Sequence, residues 1–154
     1  MDCYERMKEL GIEIPPAPAP GGCYTPLQKV GTSLYYTAGV GCKKNGEFLY
    51  KGQVSKEVTL EQAQEAARQS ILNLLSIIER ELGDLRKVKK IVKILGFVSS
   101  PDGFGGQPKV MDAASELLIA VFGKEIGCAA RSAIGTNALP GNQVVEIEMI
   151  FEVE

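Results

Sequence analysis

The apolar residues of this chain recur at helical spacing in two segments, and each segment predicts a helix. The first helix is predicted over residues 59–82, with Thr59 and Gln62 forming a capping box and Gly83 ending it. The second helix is predicted over residues 109–122. The apolar stripes are Ala63, Ala67, Ile71, Leu74, Leu75, Ile78 and Leu82 in the first helix, and Val110, Ala113, Ala114, Leu117, Leu118 and Val121 in the second.

Alternating and β-branched runs predict the strands, which cover residues 27–30, 33–38, 89–98, 131–136 and 143–153. A hairpin is thus followed by a helix, a strand, a helix and two more strands. This order predicts an α+β fold, a mixed β-sheet with two helices packed on one face. The chain has no element left to cover the other face, so we expect another subunit there.

The N-terminal segment, residues 1–20, predicts a short helix followed by a proline-rich arm. Asp2 suits the N-cap of a helix over residues 2–10. Four prolines within residues 15–20 forbid a helix and favour extended geometry. The part before these prolines is too small to be a domain, so we expect a single domain over residues 1–154 with the arm laid across its surface.

Composition places the chain among ordinary globular proteins. Of its 154 residues, 45% are hydrophobic and 23% are charged, and the formal net charge is −2. No apolar run reaches the length of about 18 residues that a membrane span needs. The N-terminus lacks the basic and apolar regions of a signal peptide. We therefore expect a cytoplasmic protein with no membrane partner, and the dispersed basic residues argue against a nucleic-acid partner.

The absence of histidine narrows the chemistry more than any motif does. It excludes a Ser-His-Asp triad, a Cys-His pair and a His-ligated metal, and leaves proton transfer to carboxylates, Lys, Tyr, Cys or water. The four cysteines form no Cys-x-x-Cys pair, so we interpret them as free thiols and expect no metal and no cofactor. We interpret Cys128 as a small buried side chain rather than as a thiol activated by the nearby Arg131.

Arg131 is a charged residue among small and apolar neighbours, in Ala129-Ala130-Arg131-Ser132-Ala133-Ile134. A buried charge without a partner is costly, so this arginine is either paired within the chain or kept for an anionic ligand. If the last two predicted strands pair with each other, Glu146 or Glu148 can face Arg131 across the sheet. The residues alone leave both interpretations open.

Several short motifs follow one another along the chain. They are Gly22-Cys23-Tyr24-Thr25-Pro26, Tyr36-Thr37-Ala38-Gly39, Ala66-Ala67-Arg68 with Leu72-Asn73-Leu74-Leu75, Gly83-Asp84-Leu85-Arg86-Lys87-Val88, Gly96-Phe97-Val98, Ala130-Arg131-Ser132-Ala133, Leu139-Pro140 and Val145-Glu146-Ile147-Glu148. In this order they resemble the motifs of the Rid family, also called the YjgF or reactive intermediate deaminase family and formerly labelled L-PSP endoribonuclease. The resemblance runs from about Ala19 to Val153, and the N-terminal helix and arm look like those of a less well understood branch with an N-terminal extension.

The resemblance implies a chorismate-mutase-like fold, assembled as a homotrimer with its ligand clefts between neighbouring subunits. Deaminases of the family hydrolyse 2-imino or 2-enamino acids to 2-keto acids and ammonia, with no metal or cofactor. Arg131 matches the arginine that grips the substrate carboxylate, and Glu146 matches the glutamate that holds or activates water. Tyr24 matches an aromatic residue that lines the pocket, although packing is an equal interpretation for it.

The chain departs from the deaminase pattern at two positions of the implied pocket. Ala38, before Gly39, stands where deaminases carry a hydroxyl residue. Asp112 or, one register over, Met111 stands where they carry an asparagine near the start of the second helix. Asp112 also suits a helix start. With Ser132 beside the arginine, these residues complete the expected substrate-binding set.

Three functions follow in order of support. The first is the hydrolysis of imino acids, and the second is a non-catalytic trimer that binds a small carboxylate metabolite. The weakest is an endoribonuclease or translation inhibitor, because the negative net charge and the lack of histidine argue against RNA cleavage.

Overall fold

One mixed sheet of six strands carries the fold in the computed structural model, which describes residues 1–154. Its order is β1-β2-β8-β6-β7, with β3 paired to β8; β6 and β7 are parallel, and the other pairs are antiparallel. β4 and β5 form a separate hairpin. The strands are β1 Leu27–Val30, β2 Leu34–Thr37, β3 Val40–Gly41, β4 Lys43–Lys44, β5 Glu47–Phe48, β6 Val88–Ser99, β7 Ala130–Thr136 and β8 Val145–Val153.

The helices are α1 Cys3–Leu10, α2 Leu60–Leu82, α3 Gln107–Phe122 and the short α4 Lys124–Gly127. The predicted capping box of α2 is confirmed, since the Gln62 amide donates to Thr59 Oγ1 at 3.1 Å and the Thr59 amide donates to Gln62 Oε1 at 3.0 Å. α3 begins two residues before the predicted start, with Pro108 in its first turn. The short helix α4 was not predicted, because four residues are too few to show a helical period.

The side chains of β8 alternate between the two faces of the sheet. The residues buried beneath the helices are Val145, Ile147, Met149, Phe151 and Val153. The alternate residues, from Glu146 to Glu152, point to the opposite face, which no helix covers. This open face also carries Tyr36 and Ile134, which are 47% and 44% exposed. The predicted α+β architecture, with its helices on one face, is confirmed.

The N-terminal segment is fastened to the long helix at two points. Tyr4 of α1 accepts a hydrogen bond of 2.9 Å from the Leu85 amide and donates one of 2.8 Å to Glu79. Burial, followed by the hydrogen bond to Glu79, raises the pKa of Tyr4 to about 12. Ser76 of α2 donates to the Pro15 carbonyl at 2.6 Å, so the proline-rich arm lies along this helix.

The last two strands do not pair with each other, because β6 lies between them. Arg131 is in register with Ile94, whose side chain is buried beneath the helices, whereas Glu146 is in register with Phe97 on the open face. The prediction that Glu146 or Glu148 faces Arg131 across adjacent strands within one chain is therefore wrong. The reason is the parallel connection through α3, which returns β7 to the free side of the apolar central strand.

Cys128 is exposed in the connection between α4 and β7, so its interpretation as a buried side chain is also wrong. In the turn before β5, Asn45 and Gly46 have positive φ values of 55° and 85°.

Candidate functional site

A cavity of ≈ 580 Å³ opens on the chain where the proline-rich arm passes the beginning of β8. Four of the predicted site residues line it, namely Tyr24, Ala38, Gly39 and Glu146. We call these four residues the acid half of the site. The cavity is also lined by Lys43, Phe48 and Gln143, which belong to none of the quoted motifs, and by Asn73 and Phe97, which do.

Glu146 is the half-buried acid of this cavity. Burial raises its pKa above the ordinary glutamate value, and the nearby charge of Glu148 raises it further. Glu148 also lines the cavity and is the like-charged neighbour two residues on along the same face. A carboxylate with a raised pKa accepts a proton from bound water more readily than an ordinary glutamate does.

Gly39 makes room for the Glu146 carboxyl group. A Cβ atom at position 39 would lie 2.9 Å from Glu146 Cδ and 3.1 Å from its Oε2, closer than carbon atoms normally approach. A Cβ atom at position 41 would lie closer still to the side-chain amide of Gln143, 2.6 Å from its Cδ.

Buried amides hold the backbone next to the cavity. Asn73 Nδ2 donates to the carbonyls of Gly41 at 3.0 Å and Lys43 at 2.9 Å, and Gln69 Nε2 donates to Asn73 Oδ1 at 3.0 Å. The Cys42 amide donates to Gln143 Oε1 at 3.2 Å. One sequence signal could have identified this support. Gln69 and Asn73 are four residues apart on the buried side of a helix, where polar side chains need partners.

Tyr24 and Ala38 also line the cavity. Tyr24 is 50% exposed, and its hydroxyl accepts a hydrogen bond of 2.9 Å from the Gly21 amide of the arm. The ring therefore packs against the arm and also lines the cavity. Ala38 presents a methyl group to the cavity, and its amide donates to the Pro26 carbonyl at 2.8 Å.

Arg131 lies apart from the cavity, on the helix side of the edge strand β7. Its Nη1 donates to Asp112 Oδ1 at 2.8 Å and to Ser115 Oγ at 3.1 Å, both on α3. The Arg131 side chain is 23% exposed and that of Asp112 is 55% exposed. We call these two residues the arginine half of the site. The internal pairing that the sequence left open therefore exists, with Asp112 as the partner in place of Glu146 or Glu148.

Ser132 belongs to neither half within one chain. It is in register with Leu95 and so points to the open face, where its hydroxyl accepts a hydrogen bond of 2.9 Å from Lys93 Nζ. The structure thus brings Arg131 and Asp112 together and brings Tyr24, Ala38, Gly39 and Glu146 together, but it does not join the two groups. Each half offers one chemical capability: a carboxyl group for proton transfer, and a guanidinium for binding a carboxylate.

No helix of the chain combines the length and the apolar character that crossing a membrane would require.

Comparison with known proteins gives one family and several relatives. The model of a family described as "YjgF/chorismate mutase-like, putative endoribonuclease" matches residues 4–153. Since this match begins within α1, the helix and the arm lie inside the matched region, and no N-terminal extension is evident. The chain is 35% identical over 147 residues to Protein TCP17 of Trypanosoma cruzi, covering 96% of this chain and 91% of that protein.

Two further relatives complete the comparison. A 2-iminobutanoate/2-iminopropanoate deaminase of Dermatophagoides farinae is 27% identical over 143 residues, covering 93% of this chain and 95% of that enzyme. The crystal structure of Atu1372, a protein of unknown function from Agrobacterium tumefaciens, superimposes with a TM-score of 0.89 at 35% identity, covering 99% of this chain and 92% of that chain.

Proposed function

Because the chain belongs to the YjgF/chorismate mutase-like family, we propose that it binds a small carboxylate metabolite and hydrolyses 2-imino or 2-enamino acids to 2-keto acids and ammonia. The reaction takes place in the cytoplasm, in a cleft between two subunits of a homotrimer. Similarity to the Dermatophagoides farinae deaminase along most of both chains supports this choice of reaction.

The observation that carries the proposal is the environment of Glu146. This carboxyl group is half-buried in a cavity, has a raised pKa and is given its space by Gly39. These are the properties of a group that exchanges protons with a water molecule, and a hydrolase without histidine needs such a group.

The separation of the two halves supports a cleft between subunits. Arg131 and Glu146 lie on opposite faces of one sheet, so a ligand of a few atoms cannot reach both within a single chain. A neighbouring copy that packs on the open face can bring its own arginine half to the acid half of this chain. Tyr36 and Ile134 expose apolar side chains on that face, and burying them beneath a neighbouring subunit would be favourable.

The proposed reaction proceeds in two steps. Arg131 holds the substrate carboxylate, while water adds to C2 of the protonated imine and Glu146 takes the proton that the water loses. Glu146 then returns this proton to the nitrogen of the neutral carbinolamine. The C–N bond breaks, ammonia leaves with the electron pair of that bond, and Glu146 takes the hydroxyl proton as the C=O bond of the keto acid forms.

A second candidate function is binding without turnover. Ala38 supplies no hydroxyl group to the cavity, and Asp112 occupies one nitrogen of Arg131. Both features weaken the deaminase pattern around the two principal residues. A trimer that only binds a small carboxylate would keep the same two halves and release no ammonia.

Ammonia release from imino acids, generated in solution by an amino-acid oxidase, tests the proposal. The wild-type protein should speed release, and Arg131→Ala and Glu146→Gln should each lower the rate by roughly a hundredfold or more. Glu152→Gln is the matched control, since Glu152 is exposed on the same strand and should leave the rate unchanged. If the wild-type protein binds pyruvate but accelerates no imino acid, the binding function replaces the catalytic one.

A further inference from the structure

Asp112 occupies only part of the hydrogen-bonding capacity of the Arg131 guanidinium. The guanidinium bonds to α3 through Nη1 alone, to Asp112 Oδ1 at 2.8 Å and to Ser115 Oγ at 3.1 Å. Its Nη2 and Nε make no hydrogen bond within the chain, so they remain available to a ligand carboxylate. The same ligand would then lie beside the negative charge of Asp112.

The charges of the two side chains determine which ligand they suit together. A simple carboxylate gains from Arg131 and is repelled by Asp112. A ligand that carries a positively charged nitrogen on the carbon next to its carboxylate is attracted by both side chains. The carboxylate then lies on the guanidinium, and the nitrogen donates to an oxygen of Asp112, whose side chain is 55% exposed and so accessible.

We propose that Asp112 is a specificity-determining residue, which selects zwitterionic 2-iminium acids, and their 2-amino analogues, over 2-keto acids. This inference rests on the proposed function, because it assigns the preferred protonation state of the substrate at the same site. The iminium form is also the more electrophilic form at C2. Asp112 therefore favours the species that reacts with water.

The same contact favours release of the product. Hydrolysis converts the positively charged nitrogen into ammonia and leaves a carbonyl oxygen at C2. The 2-keto acid therefore has no positively charged donor for Asp112. The product carboxylate then keeps the attraction of Arg131 and suffers the repulsion of Asp112. An asparagine at position 112 would lack this discrimination, since its side chain carries no charge.

The test compares two ligands that differ only at C2, L-alanine and pyruvate, by isothermal titration calorimetry on the full-length protein. The wild-type protein should bind L-alanine more tightly than pyruvate. Asp112→Asn should lower the ratio of the two affinities by roughly five- to tenfold, the effect of one charge contact in a partly exposed site. Glu116→Gln is the matched control, because it removes an exposed acid from the same helix one turn further on.

The possible outcomes separate this inference from the proposed function. If both ligands bind and Asp112→Asn leaves the affinity ratio of the wild-type protein unchanged, Asp112 does not set specificity, whereas the carboxylate site stands. A wild-type preference for pyruvate, or an equal change in Glu116→Gln, would also overturn the inference. If neither ligand binds to the wild-type protein, the proposed carboxylate site fails, and the inference fails with it.

Discussion

Arg131 and Glu146 lie on opposite faces of the same sheet. Arg131 is in register with the buried Ile94 of the central strand, and Glu146 is in register with Phe97 of that strand, whose side chain points the other way. Ile94 and Phe97 are an odd number of residues apart on one strand, so their register partners Arg131 and Glu146 lie on opposite faces. A role for both residues at one ligand therefore requires a second copy of the chain.

The activity of Glu148→Gln should extend to lower pH than that of the wild-type protein. Burial and then the charge of Glu148 raise the pKa of Glu146, so removing that charge lowers the pKa. Glu146 acts as a base in its ionised form, and the acidic limb of the rate profile should therefore move towards lower pH. The measurement is kcat/KM for ammonia release across the pH range. A limb that stays in place, or moves to higher pH, contradicts the coupling of the two carboxyl groups.

Glu146→Gln should raise thermal stability at pH 8 and lose this gain in acid. Because the folded-state pKa of Glu146 is raised, the ionised form destabilises the folded protein above that pKa. The penalty falls as the pH drops through the folded pKa, and it is absent below the ordinary value of 4.5. Melting temperatures of both proteins at pH 8 and pH 4 check this. A gain of equal size at both pH values would mean that the shape of the side chain, and not its charge, causes the gain in stability.

Gly39→Ala should harm activity more than stability. The added methyl group would lie 2.9 Å from Glu146 Cδ, so the carboxyl group has to move away from its position in the cavity. We expect about a tenfold loss of kcat with a loss of about 1 kcal/mol in the free energy of unfolding. Gly105→Ala is the control, because no atom lies within 4 Å of its added Cβ. Equal effects of the two substitutions on kcat would contradict the close approach of Gly39 and Glu146.

Tyr4→Phe should destabilise the protein by about 1–3 kcal/mol in urea denaturation. The substitution removes the acceptor of the Leu85 amide and the donor to Glu79. Tyr50→Phe also removes a hydroxyl that bonds to a glutamate, but this pair is exposed. It should change the free energy of unfolding by less than about 0.5 kcal/mol. Similar losses in both variants would mean that Tyr4 does not fasten α1 to the helix behind it.

The sequence predicts the helices and strands well where one period dominates over many residues. The capped helix α2 and the alternating strand β8 each bury one continuous apolar side, so the pattern and the structure coincide. β3, only Val40 and Gly41, and the four-residue α4 are too short to show a period. They form because β8 offers β3 an edge and because α3 ends at Gly123.

The candidate site was predictable residue by residue but not in its arrangement. Tyr24, Ala38, Gly39 and Glu146 were identified from short motifs, and they line one cavity. The partner of Arg131 was missed because pairing of the last two strands was expected from their proximity in sequence. Strand order depends on the connection through α3, which no local pattern around Arg131 records.

Mixing two inactive variants tests the cleft between subunits most directly. Arg131→Ala and Glu146→Gln should each be inactive alone, because every cleft lacks one half. After both are unfolded together in equal amounts and refolded, a cleft is complete when it joins the intact arginine half of one chain to the intact acid half of another. Random assembly of a cyclic oligomer completes about one quarter of the clefts, so about one quarter of the wild-type ammonia release should return. Refolded mixtures that stay inactive, while wild-type protein refolded in the same way is active, would contradict a site shared between subunits.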